Sequence, residues 1–252
     1  MITSLSYFYA NSSLNSEHLV IPSERSECMG IPDGQRPGDD ELVLMNRWLG
    51  KSFMANLEIT NPKGTSQKAP LESVLSYLRA RRVVPYVRGQ SVLDFGCGSH
   101  LKTLRMIRNV IDCGYGIDIL FQNQKPQRSQ DGFTIVGSFS DLDRKFDRVL
   151  SLACFEHMEV SEFRNILVEL DLVTYDKSLI IGTVPTPAAK PVLEWLSFKL
   201  GLIDESQIRD HKVYYDRSYL TETINGTGWM IDRYHKFQMG LNGFFVLKKK
   251  GV

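Results

Sequence analysis

The segment Asp94-Phe95-Gly96-Cys97-Gly98 constrains this chain more than any other. It ends the apolar run that starts at Ser91, and it precedes Leu101, Leu104 and Ile107, which recur at helical spacing. The order is therefore strand, tight turn, helix. Glycines at 96 and 98 let the backbone turn sharply and approach a ligand with no Cβ in the way. A second strand, expected over Cys113–Leu120, carries Gly116-Ile117-Asp118. Asp118 follows Gly98 by 20 residues, about one helix and one strand. In a doubly wound sheet that interval sets the carboxylate beside the turn, where it can accept both hydroxyls of a ribose. Turn and acid together point to a nucleotide of adenosine type.

The rest of the chain repeats the alternation. Leu71, Val74, Leu75, Leu78 and Val83 predict a helix that begins at Pro70 and ends at Pro85. Further strands are expected over Phe133–Phe139, Phe146–Cys154 and Ser178–Val184, with a helix over Val160–Leu172. Alternating strands and helices make a parallel sheet. The C-terminal part breaks the pattern. A helix over Tyr219–Trp229, closed by glycine, leads to two runs, Met230–Gln238 and Gly243–Lys250, joined by a short turn. Too few residues separate them for a crossover, so they form an antiparallel hairpin. The fold expected is α/β: a Rossmann-like doubly wound sheet, mostly parallel, with one antiparallel strand from the C-terminal hairpin.

Two adenosine-type ligands compete for the turn. A dinucleotide fingerprint needs a third glycine, which permits close helix–strand packing over a pyrophosphate. Leu101 stands there instead. Asp94, just before the turn, would repel a pyrophosphate but tolerates a cofactor bearing an ammonium and a sulfonium. With Asp94-x-Gly96-x-Gly98, Asp118, Phe146-Asp147-x-Val149 and the final hairpin in this order, the chain resembles the class I S-adenosylmethionine-dependent methyltransferases over about residues 71–250. The resemblance implies S-adenosylmethionine as cofactor and methyl transfer to a small molecule. It places Asp94, Phe95, Gly96, Cys97 and Gly98 along the cofactor, Asp118 on its ribose and Ile119 on its adenine. The family often carries an acid after the third strand that contacts the adenine amine. This chain has Gly137-Ser138-Phe139 there, so the contact falls to Ser138 or to a backbone group, and Ser138 and Phe139 are the residues expected along the cofactor. Ser151 and Leu152 fall beside the methionine portion.

A hydroxyl acceptor needs a group to take its proton. Two candidates stand out: His157 in Glu156-His157 after the fourth strand, and His211 in Asp210-His211-Lys212-Val213-Tyr214-Tyr215. Each has a plainer reading as a histidine that bonds local backbone. The segment around His211 resembles one in a bacterial subgroup associated with polysaccharide and sugar biosynthesis, which implies a saccharide acceptor. An insert at about 185–215 contains a strongly apolar stretch near 191–203. That stretch reads as a substrate cap, as a homodimer contact or as a helix resting on a membrane surface. A non-catalytic binding or scaffold subunit on the same fold is the alternative to an enzyme.

Composition bounds the other classes. The net charge of +1 lacks the basic excess that drives phosphate-backbone binding, so no nucleic acid is expected as partner. No run of about 18 apolar residues offers a membrane span. The four cysteines show no CxxC pair and no zinc spacing, so no metal is expected and the thiols read as reduced. A cytoplasmic protein is the expectation. Residues 1–70, rich in serine, proline and glycine, read as a loop-rich or partly disordered extension to a domain over 71–252. Met54 is an alternative first residue.

Overall fold

The computed structural model describes residues 70–192 and 212–251. The expected extension, most of the apolar stretch near 191–203 and His211 lie outside them. Helix α1 (Pro70–Val87) leads into strand β1 (Ser91–Phe95), helix α2 (Lys102–Ile107) and strand β2 (Cys113–Ile117). Strands β3 (Gln127–Arg128), β4 (Thr134–Val136) and β5 (Phe146–Leu152) follow, then helix α3 (Val160–Leu172) and strand β6 (Thr174–Pro185). Helix α4 (Arg217–Thr223) and strands β7 (Trp229–Phe237) and β8 (Asn242–Lys249) complete the described chain. The eight strands form one sheet in the order β3-β4-β2-β1-β5-β6-β8-β7. Strand β1 pairs in parallel with β2 on one side and β5 on the other. The chain order thus reverses at β1, and the crevice above its C-terminal end is where such sheets bind ligands.

The hairpin behaves as expected. Strand β8 inserts antiparallel between β6 and β7, with Leu179 opposite Lys248 and Pro185 opposite Asn242. Alternation along the strands feeds two core layers. Leu93, Phe95, Phe245 and Leu247 pack on one face of the sheet. Val92, Phe244 and Val246 pack on the other.

The lower ends of β1 and β5 are latched. Ser91 Oγ donates to Asp147 Oδ2 at 2.7 Å, Ser91 N–H donates to the same oxygen at 3.1 Å, and Asp147 N–H donates back to Ser91 Oγ at 3.0 Å. Asp147 therefore fixes register across the reversal point, at the opposite end of the strands from the glycine turn.

Several boundaries differ from the expectation for local reasons. Helix α1 continues past Pro85 because Val83, Val84 and Val87 all bury in the core and hold its last turn. Helix α4 stops at Thr223, well before Trp229, because Trp229 opens β7. Strand β6 is longer than expected and starts at Thr174, where Thr174 pairs with Phe146. Strand β3 is an antiparallel addition to β4, and its two exposed residues carry no alternation to read. Cys97 and Cys154 are free and buried. Cys113 is disulfide-bonded, which corrects the reading of four reduced thiols. Among the described residues, no helix is long and apolar enough to cross a membrane.

Candidate functional site

The glycine turn crowns β1. Gly96 has φ +77° and Gly98 φ +64°, both in the left-handed region that favours glycine. Gly96 N–H donates to the Ile117 carbonyl at 2.9 Å, which ties the turn to the end of β2. A Cβ on Gly96 would meet Cys154 Sγ at 2.5 Å, so this residue is fixed by space as well as by backbone angle.

Asp118 stands directly after β2, half-buried, and faces the turn. Its Oδ2 accepts from Gly98 N–H at 2.8 Å. Its Oδ1 accepts from Leu120 N–H at 3.0 Å and caps the short turn Ile119–Phe121. The expected juxtaposition of loop and acid is present, and the same side chain also serves as a cap. Ile119, half-buried, begins that turn, while the next residue, Leu120, is exposed.

Asp94 is the most perturbed acid here. It is buried between β2 and β5, opposite Gly116 and Leu150. Burial, reinforced by the nearby Asp118 carboxylate, pushes it up to about 8. Among the described residues, no cation offsets the rise. The thiols of Cys97 and Cys154 are also pushed up, by burial first and by the surrounding acids second. The neighbourhood of the glycine turn is thus acidic, with no compensating cation among the described residues. Leu101, where a dinucleotide fold needs its third glycine, has φ +49° and is buried against the position of Gly116. Its side chain packs in the core with Leu104 and Ile107, where a glycine would let helix and strand approach more closely.

The remaining expected residues fall around this centre. The side chains of Phe95 and Phe139 lie in the core beneath it, with ring centroids 5.9 Å apart, so only their backbone can meet a ligand. Ser138 is half-buried after β4 and donates to Asp141 Oδ2 at 2.8 Å. Asp141 therefore brings a carboxylate to the place where Gly137-Ser138-Phe139 showed none. Its signal was a serine and an acid three residues apart. Leu152 closes β5, half-buried, and Ser151 beside it is buried.

After β5 the chain makes a short turn, Phe155–His157, in which His157 is half-buried and Glu156 is buried. Burial pushes the Glu156 carboxyl up, and the nearby His157 and Arg79 only partly oppose it. The backbone carbonyl of Glu156 accepts from Lys212 N–H at 2.8 Å and Val213 N–H at 3.3 Å. Tyr215 N–H donates to the Pro185 carbonyl at 2.9 Å. Residues 212–215 are thus strapped across the C-terminal ends of β5 and β6. Glu156 was read only as a neighbour of His157, and its burial could not be inferred from a single acid in a polar stretch.

The magnesium protoporphyrin IX methyltransferase ChlM of Synechocystis PCC 6803, solved with bound SAH, is similar to this chain. The TM-score is 0.51 at 14% identity, covering 83% of this chain and 100% of that one. The fold is the class I methyltransferase fold. The mitomycin 7-O-methyltransferase MmcR shares this methyltransferase fold at a TM-score of 0.52 and 12% identity, over 71% of this chain and 55% of its own. The pyocyanin biosynthetic protein PhzM does so at 0.51 and 13%, over 71% of this chain and 58% of its own. This chain spans a little over half the length of those two proteins. No family model and no curated protein matches it.

Proposed function

We propose that this chain is an S-adenosylmethionine-dependent methyltransferase acting on a small molecule, with a hydroxyl of a sugar or sugar-linked intermediate as acceptor. The observation that carries the reading is the Asp118 carboxylate turned onto the glycine turn, at 2.8 Å from Gly98 N–H. Three features fit the cofactor. Gly98 leaves open space over the turn, since a Cβ there would meet nothing within 4 Å. Asp94 is a buried acid with no counter-charge among the described residues, suited to a positively charged ligand. Leu101 stands where a dinucleotide fingerprint needs its third glycine.

When bound, S-adenosylmethionine supplies an electrophilic methyl group, so the protein's share is alignment and exclusion of water. Gly96 and Gly98 would line the cofactor, Asp118 would accept its ribose hydroxyls, and Ile119 would cover its adenine. Ser138 and Asp141 would face the adenine amine. Leu152 and Ser151 would flank the methionine portion. His157, in the turn after β5, and His211, which lies outside the described residues, are the proposed proton acceptors.

S-adenosylhomocysteine is expected to raise the melting temperature, because it binds only the folded chain. Asp118→Ala is expected to weaken that binding by about 1–2 kcal/mol through loss of charge-assisted hydrogen bonds. Calorimetric titration of both proteins measures it. An affinity unchanged by the substitution removes Asp118 from the site.

A further inference from the structure

The first residue after β5 is strained. Ala153 has φ +57°, in the left-handed region that favours glycine. An alanine held there costs free energy, and such residues persist only where the surrounding structure fixes them. Thr183 does the fixing. It is fully buried in β6, opposite Leu152, the last residue of β5. The Ala153 N–H donates to the Thr183 carbonyl and to Thr183 Oγ1, each at 3.1 Å. One backbone donor is thus shared between two oxygens of a single buried residue, which leaves the chain little freedom at this step.

The next residue is Cys154, a buried free thiol whose Sγ lies 2.5 Å from where a Cβ on Gly96 would be. Burial and the surrounding acids hold that thiol protonated, so it packs under the turn as a small apolar group. Gly96 in turn donates to the Ile117 carbonyl at the end of β2. A continuous set of contacts therefore runs from Thr183 in β6, through Ala153 and Cys154, to the glycine turn on β1.

We infer that Thr183 is a positioning residue for cofactor binding: by clamping Ala153 in its left-handed conformation it seats Cys154 against Gly96 and holds the glycine turn ready for the ligand. The inference rests on the methyltransferase reading above and adds a residue outside the proposed cofactor contacts. A turn held in place before the ligand arrives has less freedom to lose on binding. The strain at Ala153 is the other side of the same arrangement. Glycine would remove the strain, and it would also free the step that seats Cys154.

Variants of the full chain are compared by melting temperature, by calorimetric titration with S-adenosylhomocysteine, and by the rate at which iodoacetamide labels Cys154, read by peptide mass. Ala153→Gly should raise the melting temperature by roughly 2–4 °C through relief of strain. It should nevertheless weaken ligand binding about threefold and label Cys154 faster, because the step is freed. A role in stability alone predicts the reverse, with affinity following the melting temperature. Thr183→Val keeps the volume and removes Oγ1, and should weaken binding by about three- to tenfold. Thr183→Ser returns the hydroxyl and should restore it. Thr183→Val combined with Cys154→Ala should bind no more weakly than the worse of the two single variants, since both break one path. Should Thr183→Val not fold, Ala153→Gly decides alone. Affinity unchanged in Ala153→Gly, or losses that multiply in the double variant, overturns the inference and leaves the cofactor reading standing. A melting temperature of the original chain that S-adenosylhomocysteine does not move overturns both.

Discussion

Binding of S-adenosylmethionine should tighten by up to about tenfold for each pH unit between roughly 6 and 8, then level off. The cause is Asp94. With the site empty, burial and the Asp118 carboxylate hold it at about 8, so it carries a proton at neutral pH. A ligand bearing a sulfonium and an ammonium favours the ionised form and lowers that value. Binding must then expel a proton below pH 8, and lowering the pH opposes it. Titration in two buffers of different ionisation enthalpy should show close to one proton released at pH 7. Asp94→Asn should flatten the profile and lose about 2–3 kcal/mol of affinity at pH 8, since an amide cannot ionise. A pH-independent affinity in the unsubstituted chain excludes Asp94 from contact with the charged part of the ligand.

The same group makes an opposite prediction for the empty protein. The folded value of Asp94 lies above its unfolded value, so the folded state holds the proton over the interval from about 4 to 8. Stability from this group is complete below that interval and declines as the pH rises through it. Asp94→Asn should therefore stabilise the empty protein at pH 8, by about 1–2 kcal/mol in urea unfolding. Gain of stability together with loss of ligand is what a residue kept for binding, against the interest of the core, should show.

How much of this was legible in the sequence depends on where each signal lives. The turn and Asp118 were legible because their chemistry is local: two glycines, an apolar strand before them, and an acid one helix and one strand later. The hairpin was legible from length alone, since 230–250 leaves no room for a crossover. Boundaries were less so where tertiary contacts override local signals. Pro85 would end an isolated helix, yet Val87 is buried and carries the helix on. Asp147 was read as part of the family pattern, and its contacts show a latch with Ser91 at the far end of the strands.

Glu156 and Tyr215 were beyond reach for a different reason. Glu156 Oε2 and Tyr215 Oη find no hydrogen-bond partner among the described residues, and an absence of partners is a property of packing. Nothing in Phe155-Glu156-His157 says that the acid is sealed and the histidine half-buried. Asp141 sits between these extremes: the spacing from Ser138 was visible, but the hydrogen bond that turns it toward the end of β4 was not.

The largest loss of stability should follow Trp229→Ala, about 3–5 kcal/mol. Trp229 is fully buried where β7 begins, and it fastens the hairpin to α3. Its indole N–H donates to the Leu167 carbonyl at 3.0 Å. The Lys249 ammonium lies 5.7 Å from the ring centroid, pairs with Asp171 Oδ1 at 3.0 Å and donates to the Asp171 carbonyl at 3.1 Å. Truncation empties the largest side-chain volume in this layer and removes the indole donor. At about 2–4 °C per kcal/mol for a chain of this size, the melting temperature should fall by roughly 10 °C. Trp229→Phe keeps most of the volume and should cost about 1–2 kcal/mol, because the Leu167 carbonyl loses only its side-chain donor. Trp229 pairs with Lys249, near the end of β6 away from Pro185, so the crevice above β1 is not touched. Below its lowered melting temperature, Trp229→Ala should bind S-adenosylhomocysteine as the original chain does. A loss of affinity at low temperature would show that the hairpin's lower end is coupled to the glycine turn, and that the sheet does not isolate its stabilising end from its binding end.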